Sequence, residues 1–333
     1  MNRRLGCISS IENERMACKK GIKSDSEKIA QLAAPWDATD KPKIITYNKA
    51  WKDKLEEEAE AMDIMRLAGK LPPVWEIAKE FGYSLPELCK SIQRGNDCTA
   101  WGETRASICL ALYQKWFGAE IDVEEYNPSG VYAYSSDKEP EAHKPFPDNG
   151  RTIYAIAQSA CVTGNFPVSC IGEYTAEARF TTQMIAAVPE AEKNQTGFVW
   201  LGSDKRSAEA LADIIILSLR ACRPVIIGNS VALRDGTSLN QDGVYISDVS
   251  GSWGGGHCTA ACDIKKVNGK YYVWIYNSHG NIYPSGDGSP AGGTYVTREG
   301  LIRYLSGSFA DVMPTTYIER PRKEYTQWRA TNG

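Results

Sequence analysis

Two arms, Cys258 to Val267 and Lys270 to Tyr276, flank Asn268-Gly269, and their β-branched and aromatic content reads as an antiparallel hairpin. This stretch constrains the fold most, because a strand has a side-chain period of two and a slip of one residue moves every side chain to the other face. His257 stands just before the first arm, after Gly254-Gly255-Gly256, and Asn277 stands just after the second. A two-residue turn pairs Ala260 with Asn277 and leaves His257 on the opposite face. A three-residue loop with Gly269 left-handed, the G1-bulge form, makes His257 and Asn277 diagonal neighbours on one face. We expect this loop, or a longer one of the same parity.

A second feature lies upstream. Gln93 to Trp101 reads Gln-Arg-Gly-Asn-Asp-Cys-Thr-Ala-Trp, and Trp101, Ile108, Cys109, Leu112 and Trp116 then recur at helical spacing until Gly118. Cys98 therefore falls in the first turn of a helix. There the free N–H groups and the macrodipole favour thiolate over the free-cysteine pKa of about 8.5. A thiolate needs a base, and the chain has only three histidines. His143 lies in a proline-rich loop and His279 follows Asn277, so His257, at the strand, is the candidate.

Cys98 at a helix start, His257 after a glycine-rich loop and Asn277-Ser278-His279-Gly280 closing the hairpin resemble the papain-like (C1-type) cysteine peptidases, as a divergent member. The order Cys, His, Asn matches, although the interval from Cys98 to His257 exceeds the family's about 130–150 residues and implies an insertion, placed at 119–150. The Asn149-Gly150 segment is similar to the one along which these enzymes hold an extended substrate. Arg223-Pro224-Val225 is similar to the strand entering their β-domain. The departures are specific. Gln93 is five residues ahead of Cys98, Asp97 precedes the nucleophile, and His279 stands where the family carries tryptophan.

The resemblance implies an α+β fold in two subdomains. An N-terminal extension (1–70, arm plus charged helix) precedes a helical subdomain (71–190) with the Cys98 helix; an antiparallel β subdomain (191–320) carries His257 and Asn277, and 321–333 is a tail. It also implies the catalytic set Cys98, His257 and Asn277, with Gln93 in the oxyanion hole; Asn149, Gly150, Gly256 and Trp101 would contact substrate. No metal or other cofactor is needed. The helical pattern from Lys52 to Ala68, with Leu55, Ala59, Met62 and Leu67, stops at Gly69; in this family such a helix belongs to an inhibitory propeptide.

Composition narrows the partners. With 42% hydrophobic and 24% charged residues and a net charge of −3, we expect a globular chain without nucleic-acid or membrane partners. The longest apolar run, Ile214 to Leu217, cannot span a bilayer. Arg3 and Arg4 lack a following apolar stretch, so a cytoplasmic or virion location is expected over signal-directed export. Ten scattered cysteines then suit free thiols, and Cys258 and Cys262 point away from His257 on a strand, as small core residues and not zinc ligands. Residues 76 to 92 space like a helix-turn-helix around Gly82, but their few positive charges favour a helical hairpin.

Three function classes fit: a peptidase acting on protein or peptide substrates; a cell-wall (peptidoglycan) amidase or endopeptidase, since Asp97-Cys98-Thr99 is similar to that group's Asp-Cys-Ser start; and a weak or inactive papain-like module with a structural role in a virion or large assembly, its terminal arms gripping protein partners. The long Cys98–His257 interval disfavours the second.

Overall fold

The computed structural model describes residues 44–89, 98–119, 121, 123, 152–162, 195–202, 205–279 and 288–318. Along the chain these form β1 (Ile44–Thr46), α1 (Lys49–Leu67), α2 (Val74–Glu80), α3 (Leu85–Leu88), α4 (Cys98–Trp116), α5 (Ile153–Val162), β2 (Thr196–Trp200) and α6 (Ala208–Arg220). β3 (Val225–Leu233), β4 (Ser238–Leu239), β5 (Tyr245–Ile246), β6 (Val249–Val267), β7 (Lys270–Tyr276), β8 (Gly293–Thr297), α7 (Arg298–Tyr304) and β9 (Asp311–Ile318) follow. The architecture is α+β. All nine strands join one sheet in the order β1-β2-β9-β3-β6-β7-β8-β5-β4. Its only parallel pairs among the described residues are β1–β2 and β5–β8. Ile44–Thr46, expected in an extended arm, is thus an edge strand. No described helix is long and apolar enough to cross a membrane.

Helix α4 is buried on every side from Cys98 to Gln114, polar residues included. Such a helix can satisfy its polar groups only internally, and it does so in part, since neither carboxamide atom of Gln114 is hydrogen-bonded. Ser107 bridges Glu103 at 2.7 Å and Thr196 of β2 at 3.1 Å, and Tyr113 donates to Asp263 of β6 at 2.9 Å. Gly118, at φ +97°, takes the left-handed conformation just past its end. α2, α4 and α5 cover one face of the sheet, where Trp274, Tyr276 and Cys258 join their core. α6 and α7 cover the other, against Ile227, Ala261 and Ile275.

Helix α1 packs on α6. Leu55 and Ala59 meet Ala221; Glu58 pairs with Arg223 at 3.0 Å with both side chains under 10% exposed. Arg66 donates to the carbonyls of Leu219 and Arg220 at the α6 C-terminus, 2.9 and 2.7 Å away. The Leu219 carbonyl also accepts the Cys222 N–H at 3.0 Å, so Arg66 adds a second donor at this helix end. Leu67, read as part of the apolar stripe, is 84% exposed because the helix ends on it. The helix-turn-helix spacing resolves into α2, Gly82 at φ +82° and the single-turn α3 capped by Ser84, which is too short for a recognition helix.

The hairpin carries a correction. Asn268 and Gly269 both have positive φ, 49° and 81°, and Val267 pairs Lys270 across a two-residue turn. The three-residue loop is therefore absent. The pairing runs without a break to Asp263↔Trp274, then resumes at Ala261↔Ile275. Cys262 is the extra residue of a bulge, and this single insertion shifts the register toward the parity that brings His257 and Asn277 to one face. β6 also begins earlier than expected: it starts at Val249 and runs through the glycines, with Gly251 and Gly254 at φ +86° and +77° where its register with β3 shifts.

Candidate active site

Gly102 places the thiol. It lies one helical turn beyond Cys98, on the same side of α4, and a β-carbon there would stand 2.6 Å from the Cys258 sulfur and 3.2 Å from the Thr259 carbonyl oxygen. The helix therefore touches β6 at the residue after His257. Ile153 of α5 closes over β3 in a similar way, 3.2 Å from where a Gly228 β-carbon would be. Register aligns Gly228 with Cys258 and Asn229 with His257. The result is a cavity of about 1210 Å³ bordered by Cys98, Thr99, Gly256, His257, Asn229 and Asp311, among others.

His257 stands 2.9 Å, through Nε2, from Asn277 Oδ1. The same oxygen accepts the Ser278 backbone N–H at 2.7 Å, which identifies it as the carboxamide's acceptor. Nε2 is then the N–H nitrogen, and Nδ1 carries the lone pair. Burial, the largest influence, lowers the His257 pKa to about 4; Asn277 opposes that shift, while His279 and Arg105 add to it. The imidazole alone is neutral at pH 7. Asp311 feels the same burial, which raises its carboxyl above the usual range.

Of the residues singled out in the sequence, Cys98, His257 and Gly256 border this cavity and Asn277 holds His257 from behind. Trp101 does not border it: it is 5% exposed, with the Arg105 guanidinium 5.7 Å over its ring. Among the described residues this side chain packs inward. Gln93, Asn149 and Gly150 lie outside the described residues. Cys258 and Cys262 are buried in the core beside α4. Sequence reasoning missed Asn229, wholly buried with neither carboxamide atom hydrogen-bonded, and Trp253, whose ring lies 4.5 Å from His257. The glycine four residues after Cys98 was a legible signal of close helix–strand approach; nothing marked Asn229.

No family model and no curated protein sequence matches the chain. Solved structures to which its fold is similar include cysteine proteases and procathepsins. They include xylellain from Xylella fastidiosa, at 15% identity over 68% of this chain and 81% of that one, with a TM-score of 0.44. The Carica candamarcensis cysteine protease CMS1MS2 is 15% identical over 70% and 94%, TM-score 0.39. Procathepsin L 3 of the Tenebrio molitor larval midgut is 12% identical over 88% and 99%, TM-score 0.39.

Proposed function

We propose that the chain is a cysteine peptidase in which Cys98 is the nucleophile, His257 the acid–base and Asn277 the residue that orients the imidazole. The observation that carries this reading is the Asn277 carboxamide on His257 Nε2, with His257 and Cys98 bordering one cavity. Nδ1 then takes the thiol proton. The pair ionises as a unit, since the sulfur's negative charge offsets the burial that otherwise keeps the ring neutral. The thiolate attacks the substrate carbonyl carbon; a C–S bond forms and the carbonyl electron pair moves to oxygen. The Cys98 backbone N–H, at the described start of α4, is the donor proposed for that developing charge. As the C–N bond breaks, the His257 imidazolium protonates the leaving amine. Water, deprotonated by His257, then hydrolyses the thioester.

Digestion of casein, compared with purified peptidoglycan, tests the assignment. Expected is casein cleavage that Cys98→Ala abolishes, with peptidoglycan untouched. Peptidoglycan cleavage would move the chain to the cell-wall class. No cleavage of either, with a folded protein, would favour the assembly role.

A further inference from the structure

A second imidazole belongs to the site. His279, half-buried, has its ring centroid 4.6 Å from that of His257 at an interplanar angle of 35°. Trp253 touches both rings, at 4.5 Å from His257 and 5.1 Å edge-on from His279. His257 borders the cavity with Cys98, whereas His279 does not. A charge on His279 therefore acts on the ring it touches more strongly than on the sulfur across the cavity.

Resting on the peptidase reading, we propose that His279 is a positioning residue that gates the Cys98–His257 pair through its own charge. Neutral, it stacks on His257 and holds the ring plane with Trp253. Protonated, it opposes the adjacent imidazolium and returns the pair to thiol and neutral imidazole. The proton comes from solvent, which reaches a half-exposed ring, and no bond between heavy atoms changes.

Among the described residues, the groups that act on His279 are few. Asp235, in the connection after β3, favours its protonation; Arg105 of α4 and the His257 ring oppose a second positive charge. Burial dominates and moves its pKa below the ordinary histidine value. His279 is thus neutral at pH 7 and charges on the acid side of about 6.5. The gate closes as pH falls.

The test is the rate of Cys98 alkylation by iodoacetamide, read by mass spectrometry on the full chain from pH 4.5 to 8, for wild type, His279→Phe and His279→Lys. Phe keeps a stacking ring without a proton; Lys supplies a fixed charge. At pH 5 the Phe variant should react about three- to tenfold faster than wild type, converging with it at pH 7.5; the Lys variant should be slower by a similar factor throughout. A Phe variant slowed equally at every pH, with the profile unmoved, would overturn the gate. Should that variant fail to fold, ¹³C-histidine titration of the wild type decides: the alkylation rate must follow the His279 resonance, and a rate flat across that titration overturns the proposal. If Cys98 reacts no faster in wild type than in His257→Ala at any pH, the peptidase reading itself has failed.

Discussion

Gly102 lies against Cys258 with no room for a methyl group, since a β-carbon there would stand 2.6 Å from the sulfur. This contact fixes the distance between α4 and β6, and with it the approach of Cys98 to the strand bearing His257. Gly102→Ala should gain up to about 1 kcal/mol of helix propensity and lose about 1–3 kcal/mol to overpacking. Packing wins. Urea unfolding should show a net loss, and Cys98 alkylation should slow in the folded variant; unchanged stability would mean the helix can shift without cost.

Asn277 accepts from His257 Nε2 and favours its charged form. Asn277→Ala removes that acceptor and should lower the His257 pKa further. Losing a hydrogen bond to a charged group, worth about 1.5–3 kcal/mol, should cut peptidase kcat/KM by about 10–100-fold, with KM little changed. A rise in KM alone, with kcat unchanged, would contradict the orienting role.

Buried neutral His257 links stability to pH. With Cys98 as the neutral thiol, its folded pKa of about 4 lies below the unfolded value of about 6.5, so its contribution is present above pH 6.5 and disappears as pH falls through 4. The shift corresponds to about 3 kcal/mol. His257→Gln should flatten the loss of unfolding free energy across that window. A parallel decline in both proteins would place the acid sensitivity elsewhere.

Glu58 and Arg223 form a buried pair between α1 and the turn after α6. Arg223→Ala leaves the buried carboxylate only the more exposed Lys54, 3.9 Å away, and should cost up to about 3–5 kcal/mol, seen as a lower denaturation midpoint. By the same contacts, removing residues 1–70 should destabilise the chain and not release a more active enzyme. Higher activity on truncation would support the inhibitory propeptide that the resemblance implied for this helix.

Much of the site was legible because its chemistry sits on strong periodic signals. The helix running to Trp116, with Gly118 just past its end, and the aromatic arm Lys270–Tyr276 are both as the pattern predicts. The parity that joins His257 to Asn277 was also legible, whereas the device that sets it was not. Asn268-Gly269 suits a two-residue turn, and the bulge falls instead at Cys262, in a run of small residues with no local marker. The edge strand Ile44–Thr46 is equally silent: it is three residues long and its partner, Phe198–Trp200, is remote in sequence.

The most direct measurement is the rate at which Cys98 is alkylated at pH 6 in wild type and in His257→Ala. Burial raises the thiol pKa of Cys89, Cys109, Cys222 and Cys258, so these stay silent while the fold holds. Expected is selective labelling of Cys98, at least about 100-fold faster with His257 than without it. Labelling of Cys98 no faster than the other cysteines, or equally fast in both proteins, would contradict a Cys98–His257 pair.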